Sequence, residues 1–234
     1  MRRDGERRRQ CHHAGARQDA YDGGLGEGRS GEELMLILAS SSPRRRELLT
    51  QAGLTFTVES ADVDETVQPG EAAAQYVQRL AIEKAQAVWN RHKDKDESAD
   101  PITVLGADTT VLLDGEMLGK PADIADARLM LELLSGRTHQ VLTGVAAITR
   151  KATASEVEIT QVYFDLIGER ELVKYLASGE PLDKAGAYGI QGYAARWIPK
   201  IEGCFFNVVG LPISRTLAVM ARAQEGPGDV VPPL

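Results

Sequence analysis

Three hydroxyl groups and three guanidinium groups stand side by side at residues 40–49, which read S-S-S-P-R-R-R-E-L-L and directly follow the apolar run 35–39. Ser42 suits the N-cap of a helix, and Pro43 suits its first position. The unpaired N–H groups of a first helical turn attract anions, and arginine binds two phosphate oxygens at once. The pattern predicts a strand, a turn and a helix start that hold phosphate. The alternative is a capped helix with a solvated basic turn.

Acidic side chains form a second candidate set. Residues 62–65 contain three acids, which either hold a hard divalent cation or decorate a loop. Asp108 stands between the apolar runs 102–105 and 109–113, where an unpaired, dry carboxylate is costly. We therefore expect Asp108 at a strand end or facing a cleft, as a general base or a metal anchor. The alternative is an aspartate that caps a turn.

Two lysines and a glycine-rich segment complete the candidates. Lys84 borders the apolar face of a predicted helix, so it either reaches a cleft or lays its stem over the core. Lys120 precedes Pro121, which holds its backbone extended and suits a fixed reach towards phosphate. Residues 186–192 contain three glycines, whose backbone can approach a ligand closely.

The elements that must position these groups alternate irregularly along the chain. A first helix ends at Gly53, and D-G at residues 114–115 indicates a hairpin. No strict βαβ repeat is present, which favours a mixed-sheet α/β fold. Strands are predicted at 35–39, 56–59, 102–105, 109–113, 140–148, 157–166, 197–201 and 205–209, and further helices at 71–90, 124–134, 169–178 and 211–222.

Composition excludes several classes of protein. A net charge of −7 over 234 residues argues against a general nucleic-acid binder. Cys11 and Cys204 make neither a disulfide framework nor a zinc motif, which fits a reducing, cytoplasmic location. No apolar stretch approaches the length of a membrane span. No Walker A motif is present either.

The two ends of the chain differ from its centre. Residues 1–34 contain seven Arg, seven Asp or Glu and seven Gly, without hydrophobic periodicity. We expect a disordered extension there, which an upstream start codon would explain. The functional domain is then expected at 35–223, followed by a flexible tail at 224–234. Abundant peptides from residues 1–30 in the native protein would contradict the start-codon hypothesis.

Five ordered blocks resemble the signature of the Maf family of nucleotide pyrophosphatases. The resemblance spans roughly residues 35–223, nearly the whole of the expected folded part. The resemblance implies a Maf/ITPase-like fold with two lobes and a central cleft, and a homodimer. The blocks are residues 38–49, D-V-D-E-T at 62–66, R-L-A-I-E-K-A at 79–85, V-L-G-A-D-T-T-V at 104–111 with G-K-P at 119–121, and E-P-L-D-K-A-G-A-Y-G-I-Q-G at 180–192.

The resemblance also implies roles for single residues. Asp108 and Glu65 would hold a divalent cation, Mg²⁺ or Mn²⁺, and would act in catalysis with Lys84 and Lys120. The implied substrate-binding residues are Ser40, Ser42, Arg44, Arg45, Thr109 and Gln191.

The fifth block is close to the form in the family branch that acts on dTTP and UTP. Gln191 has the donors and the acceptor to read a pyrimidine edge. At Arg44 and Thr109 this sequence differs from the family branch that acts on 7-methyl-GTP.

The resulting expectation is a cytoplasmic enzyme that hydrolyses dTTP, UTP and modified uridine triphosphates to the monophosphate and pyrophosphate, cleaning the nucleotide pool. It would need no nucleic acid and no membrane. One alternative is a nucleotide-binding regulator of cell division without significant catalysis. Another is an enzyme of the same chemistry that prefers a purine analogue such as inosine triphosphate.

Overall fold

A computed structural model describes residues 35–93 and 101–226 of the chain. The expected extension at 1–34, most of the charged loop at 91–100 and the tail beyond residue 226 lie outside the described residues. The strands are β1 Met35–Leu38, β2 Thr57–Val58, β3 Ile102–Leu113, β4 Glu116–Leu118, β5 Thr138–Ile148, β6 Thr153–Tyr163 and β7 Lys200–Glu202. The helices are α1 Pro43–Gln51, α2 Ala73–His92, α3 Ile124–Leu134, α4 Glu169–Leu176, α5 Phe205–Val209 and α6 Ile213–Glu225, with 3₁₀ turns at Glu180–Asp183, Ala185–Ala187 and Tyr193–Trp197.

One sheet of mixed direction joins all of these strands. Its order is β2-β1-β3-β5-β6-β7, with β4 attached to β3. β1 runs parallel to β2 and β3, whereas β3, β5, β6 and β7 alternate in direction. This confirms the mixed-sheet α/β fold. Among the helices of the described ranges, none combines the length and the hydropathy that crossing a membrane requires.

Strand β3 is covered unevenly along its outer side. β1 pairs with it only as far as Leu105, which lies opposite Leu38, and β4 pairs with it only from Val111, which lies opposite Leu118. Residues 106–110 therefore pair with β5 on one side and meet no strand of the described residues on the other. The sheet has an open edge in its middle.

The helices cover both faces of the sheet and form separate cores at its two ends. Successive residues of β1 point to opposite faces, so Ile37 packs with α2 while Leu38 packs with α1 and α6. The packing around β1 forms the core at one end of the sheet. At the other end, beyond β4, a separate core surrounds α3 and α4 and includes Leu131 and Tyr175. The open edge of β3 lies between these two cores, which matches the expected two lobes with a central cleft.

Most element boundaries agree with the sequence predictions, and the hairpin turn is confirmed. Asp114 and Gly115 both have positive φ, 50° and 89°, as a two-residue turn between twisted strands requires. One difference concerns 102–105 and 109–113, which form a single strand through Asp108. The carboxylate does not break the strand because Lys84 lies beside it as a counter-charge.

The prediction of a strand at 205–209 is wrong, because these residues form helix α5. Their aromatic and β-branched side chains favour strands only where a pleated partner is available. Here the buried Asn207 ties the segment down, since its Nδ2 donates to Val141 O and to Thr160 Oγ1, both at 2.9 Å. Gly210, with φ 123°, then ends the helix.

Candidate active site

A cavity of about 690 Å³ opens at the uncovered edge of β3. The site residues predicted from the sequence come from α1, α2 and β3, from the loops that follow β1, β2 and β4, and from the turn between the 3₁₀ segments Ala185–Ala187 and Tyr193–Trp197. The fold therefore brings together segments that lie far apart along the chain. All of the predicted residues line the cavity: Ser40, Ser42, Arg44, Arg45, Glu65, Lys84, Asp108, Thr109, Lys120 and Gln191.

The open edge gives this one cavity access to both faces of the sheet. Asp108 and Thr109 are neighbours in β3, so their side chains leave on opposite faces. Asp108 meets Lys84 of α2, and Thr109 meets Arg45 of α1. Carboxylates therefore gather on one side of the edge, and hydroxyl and guanidinium groups gather on the other.

On the α2 side, one ammonium group bridges two carboxylates. Lys84 Nζ lies 2.6 Å from Asp108 Oδ1 and 2.5 Å from Glu65 Oε1. Lys84 and Asp108 are buried, whereas the side chain of Glu65 is 48% exposed. Burial opposes ionisation of Glu65, but the bond from Lys84 and the charges of Lys84 and Lys120 outweigh it and lower the pKa of Glu65. Three charges are thus held within one small polar cluster.

The close approach of α2 to the sheet makes this cluster possible. A Cβ at Gly106 would stand 2.1 Å from Ala81 O, and one at Gly144 would stand 2.2 Å from Val77 O. Both carbonyl groups belong to α2, so glycine is required where the helix crosses β3 and β5. Lys84 therefore projects directly over the middle of β3.

On the opposite side, Arg45 ties four segments together. Its Nε donates to Gly210 O at 2.9 Å, its Nη1 to Ser40 Oγ at 3.1 Å and its Nη2 to Thr109 Oγ1 at 3.0 Å. Burial lowers the pKa of Arg45, although the charge of Asp108 counteracts this. Three of its five N–H groups are thereby directed to protein acceptors, so Arg45 also fixes the hydroxyl groups of Ser40 and Thr109.

Helix α1 begins as predicted. Ser42 is the N-cap, its Oγ accepts from the backbone N–H of Arg45 at 3.5 Å, and Pro43 is the first helical residue. Ser40 Oγ accepts from the backbone N–H of Ser42 at 3.3 Å. The two hydroxyl groups therefore shape the turn that presents the helix start to the cavity.

Arg44 reaches across the cavity mouth to a residue that sequence reasoning did not select. Its Nη1 donates to Asp183 Oδ2 at 2.8 Å and its Nη2 to Asp183 O at 3.2 Å. Lys184 Nζ donates to the other carboxylate oxygen of Asp183 at 2.7 Å. Burial opposes ionisation of Asp183, yet the bonds from Lys184 and Arg44 lower its pKa. Lys184 is a further cation in the cavity lining. The sequence signal that could have identified Asp183 and Lys184 is their pair of adjacent opposite charges beside a glycine-rich segment.

Gln191 and Lys120 are exposed on the cavity rim. Gln191 lies in a turn that packs around Glu180. A Cβ at Gly192 would stand 2.0 Å from Glu180 Oε1, so a larger residue would displace the carboxylate from its present position against this turn. Glu180 Oε2 accepts from the backbone N–H of Tyr193 at 3.3 Å. Glycine at this position thus leaves room for the Glu180 carboxylate beside the turn that presents Gln191.

The carboxylate pair of Asp108 and Glu65 has the donor chemistry for a hard divalent cation. Both groups converge on a single positive nitrogen, which shows that they can share one cation. Within residues 35–93 and 101–226, no three His, Cys, Asp or Glu side chains cluster as a complete metal cage. Mg²⁺ characteristically uses one or two carboxylates and takes its other ligands from water and substrate phosphates. The residues present fit that mode of binding.

The fold and the cavity define a mixed-sheet α/β protein whose open strand edge separates an acidic cluster from a basic one. The family model described as "Maf-like protein" matches residues 35–223, and the chain belongs to that family. Similar proteins from several bacteria carry the name dTTP/UTP pyrophosphatase. The one from Hahella chejuensis is 46% identical over 86% of this chain and 94% of its own length. Those from Koribacter versatilis and Myxococcus xanthus are 50% identical over 80% and 82% of this chain and 94% of theirs.

Proposed function

We propose that this protein hydrolyses nucleoside triphosphates to the nucleoside monophosphate and pyrophosphate, with dTTP, UTP and modified uridine triphosphates as substrates. The observation that carries the proposal is the Lys84 bridge between Asp108 and Glu65, in the same cavity as the basic groups of α1. The relatives named dTTP/UTP pyrophosphatases, at 46–50% identity, support the choice of substrates. The cytoplasm, which holds the nucleotide pool, is the location that this role implies.

The basic groups would hold the triphosphate. The chain carries a net charge of −7, yet Arg44, Arg45, Lys120 and Lys184 all line this cavity. Fixed positive groups of this kind stabilise the charge that develops on a leaving phosphate, because they need no rearrangement during the reaction. In this proposal Arg45 acts partly through Thr109 and Ser40, whose hydroxyl groups it orients.

The acidic cluster would activate water. Asp108 would accept a proton as the water oxygen bonds to the α-phosphorus, and the bond from that phosphorus to the bridging oxygen would break, releasing pyrophosphate. Lys84 holds the Asp108 carboxylate in place through Oδ1. A divalent cation, Mg²⁺ or Mn²⁺, held by Asp108 and Glu65 would offset the negative charge of the phosphate oxygens.

A regulator that only bound nucleotides would gain nothing from this arrangement. Two carboxylates beside bound phosphates oppose binding unless they also take part in chemistry or hold a cation. The acidic cluster therefore favours the enzyme over the regulator. Gln191, on the cavity rim, is the group proposed to read the pyrimidine edge.

The test is pyrophosphate release from dTTP, UTP, CTP, ATP, inosine triphosphate and 7-methyl-GTP with Mg²⁺ or Mn²⁺, with and without EDTA. We expect turnover of dTTP and UTP that EDTA abolishes. Asp108→Asn should lower kcat by about 10²–10⁴-fold, the usual contribution of a general base. Asp62→Asn, in the exposed acidic loop, is the matched control and should retain full turnover.

Activity only on inosine triphosphate or 7-methyl-GTP would contradict the specificity and leave the chemistry standing. Near-normal turnover by Asp108→Asn would remove Asp108 from the role of base. Nucleotide binding by the unaltered protein without any turnover would support the regulator instead.

A further inference from the structure

Arg79 lies on α2, outside the cavity lining, and forms ion pairs with two glutamates. Its Nε donates to Glu71 Oε1 at 2.6 Å and its Nη2 to Glu71 Oε2 at 2.8 Å, so the two side chains form a two-pronged pair. Its Nη1 also lies 3.2 Å from Glu83 Oε2, one turn along the helix. The guanidinium plane is therefore held in one orientation.

The same guanidinium holds the loop that carries Glu65. Arg79 Nη2 donates to the backbone carbonyl of Thr66 at 3.1 Å. Tyr76, three residues earlier on α2, donates its hydroxyl to the backbone carbonyl of Glu65 at 3.0 Å. The Arg79 guanidinium carbon lies 5.6 Å from the centre of the Tyr76 ring, which braces both side chains. Two consecutive peptide groups of the loop are thus fixed to the helix.

Glu71 anchors the other end of this loop. Its Oε2 accepts from the backbone N–H of Gln68 at 3.0 Å, and the N–H of Glu71 donates to Gln68 O at 3.0 Å. The bond from Arg79 lowers the pKa of Glu71 to about 2, so this carboxylate stays charged across the physiological range. Arg79 therefore joins residues 65–71 to α2 through one continuous set of bonds.

The loop needs such a restraint because its own packing does not supply one. Between β2 and α2 the chain forms no helix or strand, and the Glu65 side chain is 48% exposed. A carboxylate on a loose loop loses conformational entropy whenever it converges with Asp108 on one cation. With its backbone held by Tyr76 and Arg79, Glu65 meets the Lys84 ammonium of the same helix already in place.

We infer that Arg79 is a positioning residue that presents the Glu65 carboxylate to the reaction centre. The inference rests on the proposed function, because it assigns Arg79 an effect on catalysis exerted only through Glu65. The competing explanation is that Arg79 and Glu71 merely stabilise the start of α2. That explanation predicts an effect of Arg79 that does not depend on whether Glu65 can act.

The experiment compares Arg79→Met, Glu65→Gln and the double variant in the full chain. Each is measured for kcat and KM on dTTP, for Mn²⁺ binding without nucleotide by electron paramagnetic resonance, and for melting temperature. Removing an outer support of a metal or catalytic ligand characteristically costs 10–100-fold, so we expect Arg79→Met to lower kcat and Mn²⁺ affinity by about that factor. In the Glu65→Gln background it should lower neither further.

Arg128→Met is the matched control, because Arg128 also pairs with two glutamates, Glu132 and Glu169, but lies on α3 outside the cavity. Its kcat should equal that of the unaltered protein. If Arg79→Met does not fold, Glu71→Gln weakens the same pair without removing the guanidinium and should show the same dependence on Glu65.

An equal loss from Arg79→Met in both backgrounds would overturn the inference, as would unchanged kcat and Mn²⁺ affinity in Arg79→Met. Full activity of Glu65→Gln would overturn it as well. Failure of the proposed function is distinguishable, because the unaltered protein would then release no pyrophosphate from any triphosphate.

Discussion

At the scale of single residues, the cavity is organised by two cations that do different work. Lys84 pairs with two carboxylates at once, so removing it would leave Asp108 buried beside Glu65 without this counter-charge. Arg45 is directed mainly at neutral oxygen atoms of the protein and holds the opposite wall together. The residue types were predictable, but these partnerships were not, because each links segments far apart along the chain.

His139 supplies a residue-scale prediction about stability. It is 2% exposed, its Nε2 lies 2.7 Å from the Tyr188 hydroxyl oxygen, and burial lowers its pKa from 6.5 to about 4. Between these values the unfolded chain binds a proton that the folded protein does not, so stability should fall as pH falls from 6.5 to 4. The loss from this group should be about 3 kcal/mol.

Urea unfolding at pH 7.5 and 4.5 measures this effect, with His139→Gln as the comparison. Carboxylates with lowered pKa, such as Glu71, destabilise both proteins in acid, so only the difference between them reports on His139. The variant should lose less stability on acidification. The same pH dependence in both proteins would contradict the assignment.

At the scale of elements, α2 is the helix on which the site depends. It provides Lys84, carries Tyr76 and Arg79 against the Glu65 loop, and crosses β3 and β5 at Gly106 and Gly144. Its position is therefore set by the absence of side chains on the strands beneath it. The amphipathic pattern at 71–90 predicted the helix but not this closeness.

Gly144→Ala tests that dependence. The new methyl group would meet backbone atoms of Val77 at 2.2–2.5 Å, which a rotamer change cannot relieve. We expect a loss of about 1–3 kcal/mol or more in urea unfolding, as for other overpacked cores, together with reduced turnover because Lys84 moves relative to Asp108. Gly168→Ala is the control, since nothing lies within 4 Å of its added Cβ and its φ is −72°. Equal stability of the two variants would contradict this account of the helix contact.

At the scale of the whole molecule, one gap in the sheet creates the site. Because β1 pairs with β3 only up to Leu105 and β4 pairs with it only from Val111 onward, both faces of β3 reach the same cavity. A continuous sheet would have kept the acidic and the basic clusters on separate surfaces. The expected homodimer stays a prediction at this scale.

A chain that begins at Met35 tests the proposed domain boundaries. β1 starts at Met35, the family match covers 35–223, and every proposed site residue lies inside that range. We therefore expect the shortened protein to keep the turnover and the melting temperature of the full chain within experimental error. Lost activity in a shortened protein with unchanged circular dichroism would show that residues 1–34 contribute to function.

Local features were readable from the residues alone because neighbours in the chain decide them. The Ser42 cap, the turn at residues 114–115 and the helix Ile124–Leu134 all depend on contacts within a few residues. The ten predicted site residues, all of which line the cavity, were also accessible from the sequence, through the resemblance of five ordered blocks to a known family.

Partners and geometry depended on the assembled fold. The passage of β3 through Asp108, the helical form of 205–209 and the Arg44–Asp183 pair all rest on contacts between distant segments. Asn207 makes the point most directly, because its strand-favouring neighbours become helical once its amide bonds to β5 and β6. Patterns of hydrophobicity and charge indicate which residues avoid water. The order of strands in the sheet determines which of those residues come into contact.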